Sequence, residues 1–237
     1  MSTLLISDLH LQESAPRLTR LFHHFMEHIA PDSDALYVLG DLFEVWLGDD
    51  EDSAFAADIV AAFRRYSASG KPLYFLHGNR DFLLGSGFAQ ATGGILLAGP
   101  TVTELNGTPT LLLHGDELCT DDLDYQAFRA QVRNPLWQQA FLAKPLAERR
   151  QIAAGMRQAS KAQAREKAGY IMDANDTAVS NILAEHRVAR IIHGHTHRPA
   201  YHRPGEGQER IVLGDWHERG CYLRVQEKDT ALVYFSV

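Results

Sequence analysis

Five short polar motifs, each directly after an apolar run, constrain this chain more than anything else in its 237 residues. They are Asp8-Leu9-His10, Gly40-Asp41, Gly78-Asn79-Arg80-Asp81, His114-Gly115-Asp116 and His193-Gly194-His195-Thr196-His197. The preceding runs, at 3–6, 35–39, 72–76, 110–113 and 190–192, are short and apolar and read as β-strands. Polar residues at strand ends gather along one edge of a sheet, where the ligand sites of α/β folds lie. Core packing accounts for a lone histidine, but it has no use for five such motifs in matching positions.

The residue types then specify the chemistry. Carboxylate, imidazole and amide oxygen suit Mn²⁺, Fe²⁺ or Zn²⁺, and the absence of thiolate argues against a structural zinc. Two such ions about 3.5–4 Å apart need a shared ligand. Asp41, alone at its strand end, is the natural bridge. Asp8 and His10 alternate along an extended segment and so can face one ion. His195 and His197 have the same spacing and could serve one ion each. Two divalent ions against two carboxylates leave a net charge of about +2, which favours a phosphate ester and lowers the pKa of a bridging water toward about 7.

The spacing between motifs predicts the architecture. Helical periodicity at 16–30 and 53–69 alternates with the first strands, so helices should pack on a sheet. Asn106-Gly107, between apolar runs at 101–105 and 110–113, signals a hairpin because both residues tolerate positive φ. Strand patterns return at 210–213, 221–225 and 231–235, giving two packed sheets with helices outside. Residues 122–172 break this scheme. They are almost entirely helix-forming, with starts at Asn134-Pro135 and Lys144-Pro145, a helix over 145–168 and a stop at Gly169. Another helix is expected over 173–186. Lying between the fourth and fifth motifs, the 122–172 insertion can overhang the site as a cap.

Composition limits the remaining choices. No apolar run reaches about 18 residues, so no transmembrane helix is expected, and the N-terminal residues lack a signal-peptide pattern. Cys119 and Cys221 form no C-x-x-C pair and read as unpaired thiols in a reducing cytosol. The net charge is −7, yet residues 122–172 carry nine Lys/Arg against four Asp/Glu, or +5. A basic segment in an acidic chain points either to an anionic partner or to an ordinary solvated helix. No nucleic-acid partner is expected.

The ordered motifs resemble the calcineurin-like metallophosphoesterase superfamily over essentially all the chain outside the insertion. The resemblance implies one α/β domain over 1–237, a four-layer α/β/β/α sandwich, with a helical cap at 122–172. It implies one metal held by Asp8, His10, Asp41 and His197, and the other by Asp41, Asn79, His114 and His195. Arg80 stands where the superfamily commonly has a histidine assigned to protonating an alkoxide leaving group. Arginine cannot give up a proton at neutral pH but grips phosphate well. The substitution suits a leaving group that needs little protonation, as in a phosphate anhydride.

Longer stretches, Ser-Asp-Leu-His-Leu, Gly-Asp-Leu-Phe-Glu-Val-Trp-Leu-Gly-Asp, His-Gly-Asn-Arg-Asp-Phe-Leu-Leu-Gly, His-Gly-Asp-Glu-Leu-Cys-Thr-Asp-Asp and His-Gly-His-Thr-His-Arg-Pro, resemble the UDP-2,3-diacylglucosamine pyrophosphatase family of Gram-negative lipid A biosynthesis. That resemblance implies two Mn²⁺ per chain and water attack on the α-phosphorus, with UMP and 2,3-diacylglucosamine 1-phosphate (lipid X) as products. It assigns catalysis to Asp41, Asn79, Arg80 and His114. It places substrate contacts at Asn79, Arg80, Asp122, Ser160, Lys167 and His195, and at position 164, where relatives often have asparagine and this chain has Ala164.

The expected protein is a monomer, attached peripherally to the cytoplasmic face of the inner membrane through an anionic lipid surface. Trp46, Phe82, Phe128, Trp137 and Phe141 are candidates for an acyl-chain groove, with ordinary packing as the competing account. Ile152, Met156 and Ala159 form an apolar stripe on the cap. Two other functions compete. A soluble nucleotide-sugar pyrophosphatase would use the same centre without needing a basic, partly apolar cap. A metal-free scaffolding relative should have lost ligands, and here every expected ligand is present.

Overall fold

A computed structural model describes residues 2–166, 171, 173–227 and 229–237, with the backbone alone for 159–166. The strands in chain order are β1 (Thr3–Ile6), β2 (Ala35–Val38), β3 (Leu73–Phe75), β4 (Ile95–Leu96), β5 (Thr101–Leu105), β6 (Thr108–Leu112), β7 (Arg190–His193), β8 (Ala200–His202), β9 (Glu209–Val212), β10 (Gly220–Gln226) and β11 (Asp229–Phe235). They form two sheets, ordered β11-β10-β1-β2-β3-β4 and β5-β6-β7-β9-β8. In the first, β1 to β4 are parallel neighbours; in the second, β6, β7 and β9 are.

Strand alternation sorts the apolar residues into layers. Leu4, Ile6, Leu36 and Val38 face one side of the first sheet, while Leu5 and Tyr37 face the other. In the second sheet Leu112 and Ile192 meet Leu5 and Tyr37, and Leu111, Leu113 and Ile191 point outward. The outer face of the first sheet is covered by α1 (Pro16–His24), α2 (Ala54–Ala68) and α3 (Ser86–Thr92). The helices α4 (Leu123–Val132), α5 (Pro135–Leu142) and α6 (Leu146–Glu166) come next, and then α7 (Asp176–His186) covers the outer face of the second sheet through Val179 and Leu183. Three apolar interfaces therefore separate four layers, α/β/β/α, as the sequence implied.

The cap helices are not free of this body. Phe141 belongs to the core under the first sheet, and Trp137, Leu146 and Ile152 pack against it.

Local differences from the sequence reading have local causes. The helix expected over 16–30 leaves α geometry at Phe25, passes through a π turn (Phe25–Ile29) and ends in a 3-10 turn holding Pro31, which has no amide to continue the ladder. The π turn sets Phe25 among Trp216 and Tyr222, each 5.7 Å away between ring centroids. The helix expected from 173 starts at Asp176 because the Asn175 side chain caps it, accepting from the amides of Thr177 and Ala178 at 2.9 and 3.1 Å. The hairpin is as read: Asn106 and Gly107 have φ of 50° and 76° between β5 and β6. Trp46 is 6% exposed and stacks on Phe43 at 4.7 Å, so it is a core residue of the body.

Candidate metal centre

The five motifs converge at the C-terminal ends of β1, β2, β3, β6 and β7. Backbone bonds continue past the ends of β1 and β2 and hold their loops in register: Asp8 N to Gly40 O at 3.1 Å, His10 N to Asp41 O at 3.0 Å and Leu11 N to Leu42 O at 2.9 Å. Cross-links join the two sheets at the same edge. His195 N donates to Asp8 Oδ2 at 3.0 Å, His114 Nδ1 donates to Leu39 O at 2.8 Å and Trp216 N donates to Asp8 O at 3.1 Å.

Aiming these side chains requires unusual backbone. Seven described non-glycine residues have positive φ; five of them are Asp8, His10, Asp41, His195 and His197. Such conformations cost on the order of 1–3 kcal/mol each and persist where the surroundings fix them. The motif glycines supply the room. Gly40 has φ of 90°, and a Cβ there would come within 2.7 Å of His114 Nδ1. A Cβ on Gly194 would strike the Asp8 carboxylate and the Ser7 hydroxyl.

The result is one shared carboxylate between two donor groups. Asp41 Oδ2 lies 3.8 Å from His10 Nε2, and Asp41 Oδ1 lies 3.6 Å from His114 Nε2. On the first side, the Nε2 atoms of His10 and His197 face each other at 3.3 Å, with His197 Nε2 3.4 Å from Asp8 Oδ1. On the second, Asn79 Oδ1 meets His114 Nε2 at 2.9 Å and His195 Nδ1 at 2.8 Å. Lone-pair atoms brought this close, all nitrogen or oxygen, fit divalent cations between them. Asp8, His10 and His197 form one cluster with metal-ligand spacing, and Asp8, Asp41 and His114 form another. All seven residues read as ligands from the sequence are thus brought together.

Charge within the cluster is divided. Burial opposes protonation of His114, but the Asp41 and Asp8 carboxylates outweigh it and raise its pKa to about 9. Burial likewise opposes charge on His197, and its bonds to Asp215 and Asp8 lift it to about 10. Burial lowers His195 to about 3, helped by His114, and lowers His10 against the pull of Asp41 and Asp8. Burial raises the Asp41 carboxyl despite His114 and His10. On Asp8, burial is overcome by His197, His114 and His10, which hold its pKa well below the usual carboxylate range.

Several supporting residues were given no role by sequence reasoning, Asp215 and Glu44 lying outside the five motifs and Asp81 and Asp116 within them. Asp215 receives His197 Nδ1 at 3.3 Å and His217 Nε2 at 2.7 Å. It follows β9 in a Leu213-Gly214-Asp215 run that repeats the Gly40-Asp41 pattern, a signal that could have identified it. Glu44 receives His10 Nδ1 at 3.0 Å. Asp81, fully buried, accepts from the amides of Leu42 and Gly78 at 2.7 and 2.8 Å. Asp116, 1% exposed, accepts from Tyr125 Oη at 2.8 Å and Arg129 Nε at 2.7 Å, tying α4 to the fourth motif.

The substrate-contact expectations are placed unevenly. Arg80 lines a cleft of about 440 Å³ with His10, Glu44, Arg157 and His197, and its buried Nε has no hydrogen-bond partner. Asp122 caps α4 through Tyr125 N at 3.0 Å. The side chains of Ser160 and Ala164, and all of Lys167, lie outside the described residues.

The basic surplus of the insertion has a structural use the sequence did not reveal. Arg129 and Arg133 pair with Asp116, Arg149 with Asp50, Arg150 with Glu51 and Asp52, Arg157 with Glu44, and Lys144 with Glu148. Among the described side chains, five of these six cations, all but Lys144, bind the cap to an acidic body.

Comparison with known proteins agrees with the geometry. The pattern described as calcineurin-like phosphoesterase matches residues 1–199. A protein of Enterobacter sp. (strain 638) named UDP-2,3-diacylglucosamine hydrolase is 49% identical over 238 residues, covering 99% of each chain. Proteins of the same name from Cellvibrio japonicus (strain Ueda107) and Escherichia coli O7:K1 are each 48% identical, covering 98% and 99% of each chain. Among solved structures, an archaeal phosphodiesterase superposes with a TM-score of 0.52 at 11% identity, covering 99% of this chain and 100% of its own. Vacuolar protein sorting 29 from Cryptosporidium parvum also gives 0.52, at 12% identity, covering 100% of this chain and 98% of its own. Since a phosphodiesterase and a sorting protein share this fold, the fold alone does not decide function; the residues at the strand ends do.

Proposed function

The chain belongs to the calcineurin-like phosphoesterase family, and from that premise we propose that it hydrolyses the pyrophosphate bond of UDP-2,3-diacylglucosamine. Water attacks the α-phosphorus, and the products are UMP and 2,3-diacylglucosamine 1-phosphate, an intermediate of lipid A biosynthesis. The proposal draws its substrate from near-full-length identity to proteins named for hydrolysing it. The observation that carries the chemistry is Arg80, with its unpartnered buried Nε beside a complete ligand set.

Asp8, His10, Asp41 and His197 would hold one divalent ion and Asp41, Asn79, His114 and His195 the other, Mn²⁺ in both cases. Bound there, the ions supply Lewis-acid polarisation of the phosphoryl group and a water of lowered pKa. The chain does the rest. His114 donates through Nδ1 to Leu39 O, and His10 and His197 donate through theirs to Glu44 and Asp215, so that each turns Nε2 to the centre. Arg80 grips the phosphoryl oxygens as charge builds on them and leaves the departing phosphate unprotonated.

The inserted helices act as the cap of a single phosphoesterase domain and select the lipid-bearing substrate. Leu123, Leu136 and Leu142 are exposed on α4 and α5 and would meet acyl chains or the membrane. No described helix is long and apolar enough to cross a membrane. The proposed place of work is the cytoplasmic face of the inner membrane, reached as a peripheral protein through these exposed leucines. One chain carries every ligand, so a monomer suffices.

Hydrolysis in ¹⁸O-water tests the bond assignment: label is expected in UMP, and label only in the sugar phosphate rejects attack at the α-phosphorus.

A further inference from the structure

The ligand histidines with an assigned outer nitrogen differ in where their partners are anchored. His114 leans on a backbone carbonyl, and His197 on Asp215, both in the body of the fold. His10 leans on Glu44, which is shared with the cap. Oε2 of Glu44 receives His10 Nδ1 at 3.0 Å, while Oε1 pairs with Nη2 of Arg157 on α6. Glu44 cannot drift from this place. Its amide donates to Leu11 O at 3.0 Å, Phe43 bridges to Leu11, and the residue is 9% exposed. The Arg157 guanidinium is drawn inward with it, and its Nη1 is buried.

Resting on the reading of the strand-end cluster as a metal centre, we propose that Glu44 is a positioning residue that couples docking of α6 to metal loading. One carboxylate fixes the orientation of a ligand and the seat of the cap helix together. Holding His10 with Nε2 turned inward fixes the Oε2 edge of Glu44, which presents Oε1 to Arg157. Seating Arg157 fixes the same carboxylate from the other side and preorganises His10 for the cation. Linkage makes the effect reciprocal: whatever factor metal loading adds to docking of α6, docking adds to metal affinity. Arg150, by contrast, pairs among the described residues with Glu51 and Asp52, neither of which is bonded there to a candidate ligand.

The test uses metal-free full-length protein, wild type and the variants Glu44→Gln, Arg157→Gln, Arg157→Lys and Arg150→Gln. Mn²⁺ affinity is read from the spin resonance of free Mn²⁺, and docking from hydrogen exchange of the amides of 146–158 with and without Mn²⁺. In the wild type, Mn²⁺ should slow exchange in this stretch. Glu44→Gln should weaken Mn²⁺ binding by about 10–100-fold. Arg157→Gln should weaken it by about 5-fold or more and abolish the slowing, Arg157→Lys should restore part of both, and Arg150→Gln should change neither. Wild-type affinity and wild-type slowing in Arg157→Gln would overturn the proposal, as would a wild type that binds Mn²⁺ with no response in α6. Those outcomes leave the metal centre standing; a wild type that takes up no divalent ion removes both.

Discussion

The metal cradle and the cap are built by opposite means. In the cradle, position is set by backbone: strand ends in parallel register, five ligands at positive φ and glycines where a Cβ would collide. In the cap, position is set by a few apolar anchors, Phe141 among them, and by long side chains. Arg149 reaches Leu47 O and Asp50, Arg133 reaches Gly78 O at 2.9 Å, and Arg129 reaches Asp116. The first kind of construction tolerates almost no change, which suits atoms that must meet within a fraction of an ångström. The second can shift by rotamer, which suits the lipid-admitting surface proposed for the cap. On the proposed reading, the cradle would break the phosphoryl bond and the cap would govern which molecule reaches it.

Asp41→Ala breaks the cradle most severely, because both halves of the centre share that carboxylate. A loss of at least about 10⁴-fold in kcat is expected in a protein whose circular dichroism shows it still folded; near-normal rates would remove the dinuclear account. Arg80→Ala should cost about 10²–10³-fold in kcat with metal content unchanged, separating the phosphate grip from metal holding.

The cap should fail differently. Arg149 is 1% exposed and paired with Asp50, so Arg149→Ala should cost about 1–3 kcal/mol in denaturant unfolding. It should raise KM about 10-fold while leaving kcat within about 3-fold, because the loosened element selects substrate rather than reacting with it.

The remaining contrast is one of pH and concerns the cradle. In metal-free protein, His114 and His197 have pKa values of about 9 and about 10, above the ordinary 6.5. The stability they contribute is fully present below 6.5 and is lost as pH rises through 9–10. His195 and His193, lowered to about 3 and about 4, act in the other direction, since the unfolded chain takes up protons below 6.5 that the native state refuses. The Tm of metal-free protein should therefore peak near the ordinary histidine value of 6.5. Added Mn²⁺, which requires neutral imidazoles, should remove the alkaline decline. A flat profile without metal would contradict this charge arrangement.

The same contrast decides what was legible in the sequence. Strands and candidate ligands could be read because a β-run ending in His, Asp or Asn next to glycine has no other common use. Asp215 could have been read by the same rule, but its run looked like an ordinary terminal strand. Glu44 was hidden because it serves His10 from 34 residues away. The pairing of the cap arginines was hidden for the same reason: Asp50 and Arg149 are 99 positions apart. Local pattern announces what the backbone fixes, whereas long-range ion pairs leave no periodicity.

The central claim, that the cradle cleaves a nucleotide anhydride and the cap makes it specific for a lipid, is tested most directly by comparing two substrates on one sample of measured metal content. The account predicts that kcat/KM for UDP-2,3-diacylglucosamine exceeds that for UDP-N-acetylglucosamine by about 100-fold or more, given the apolar surface that acyl chains bury. Equal rates on the two in fully loaded protein would contradict it.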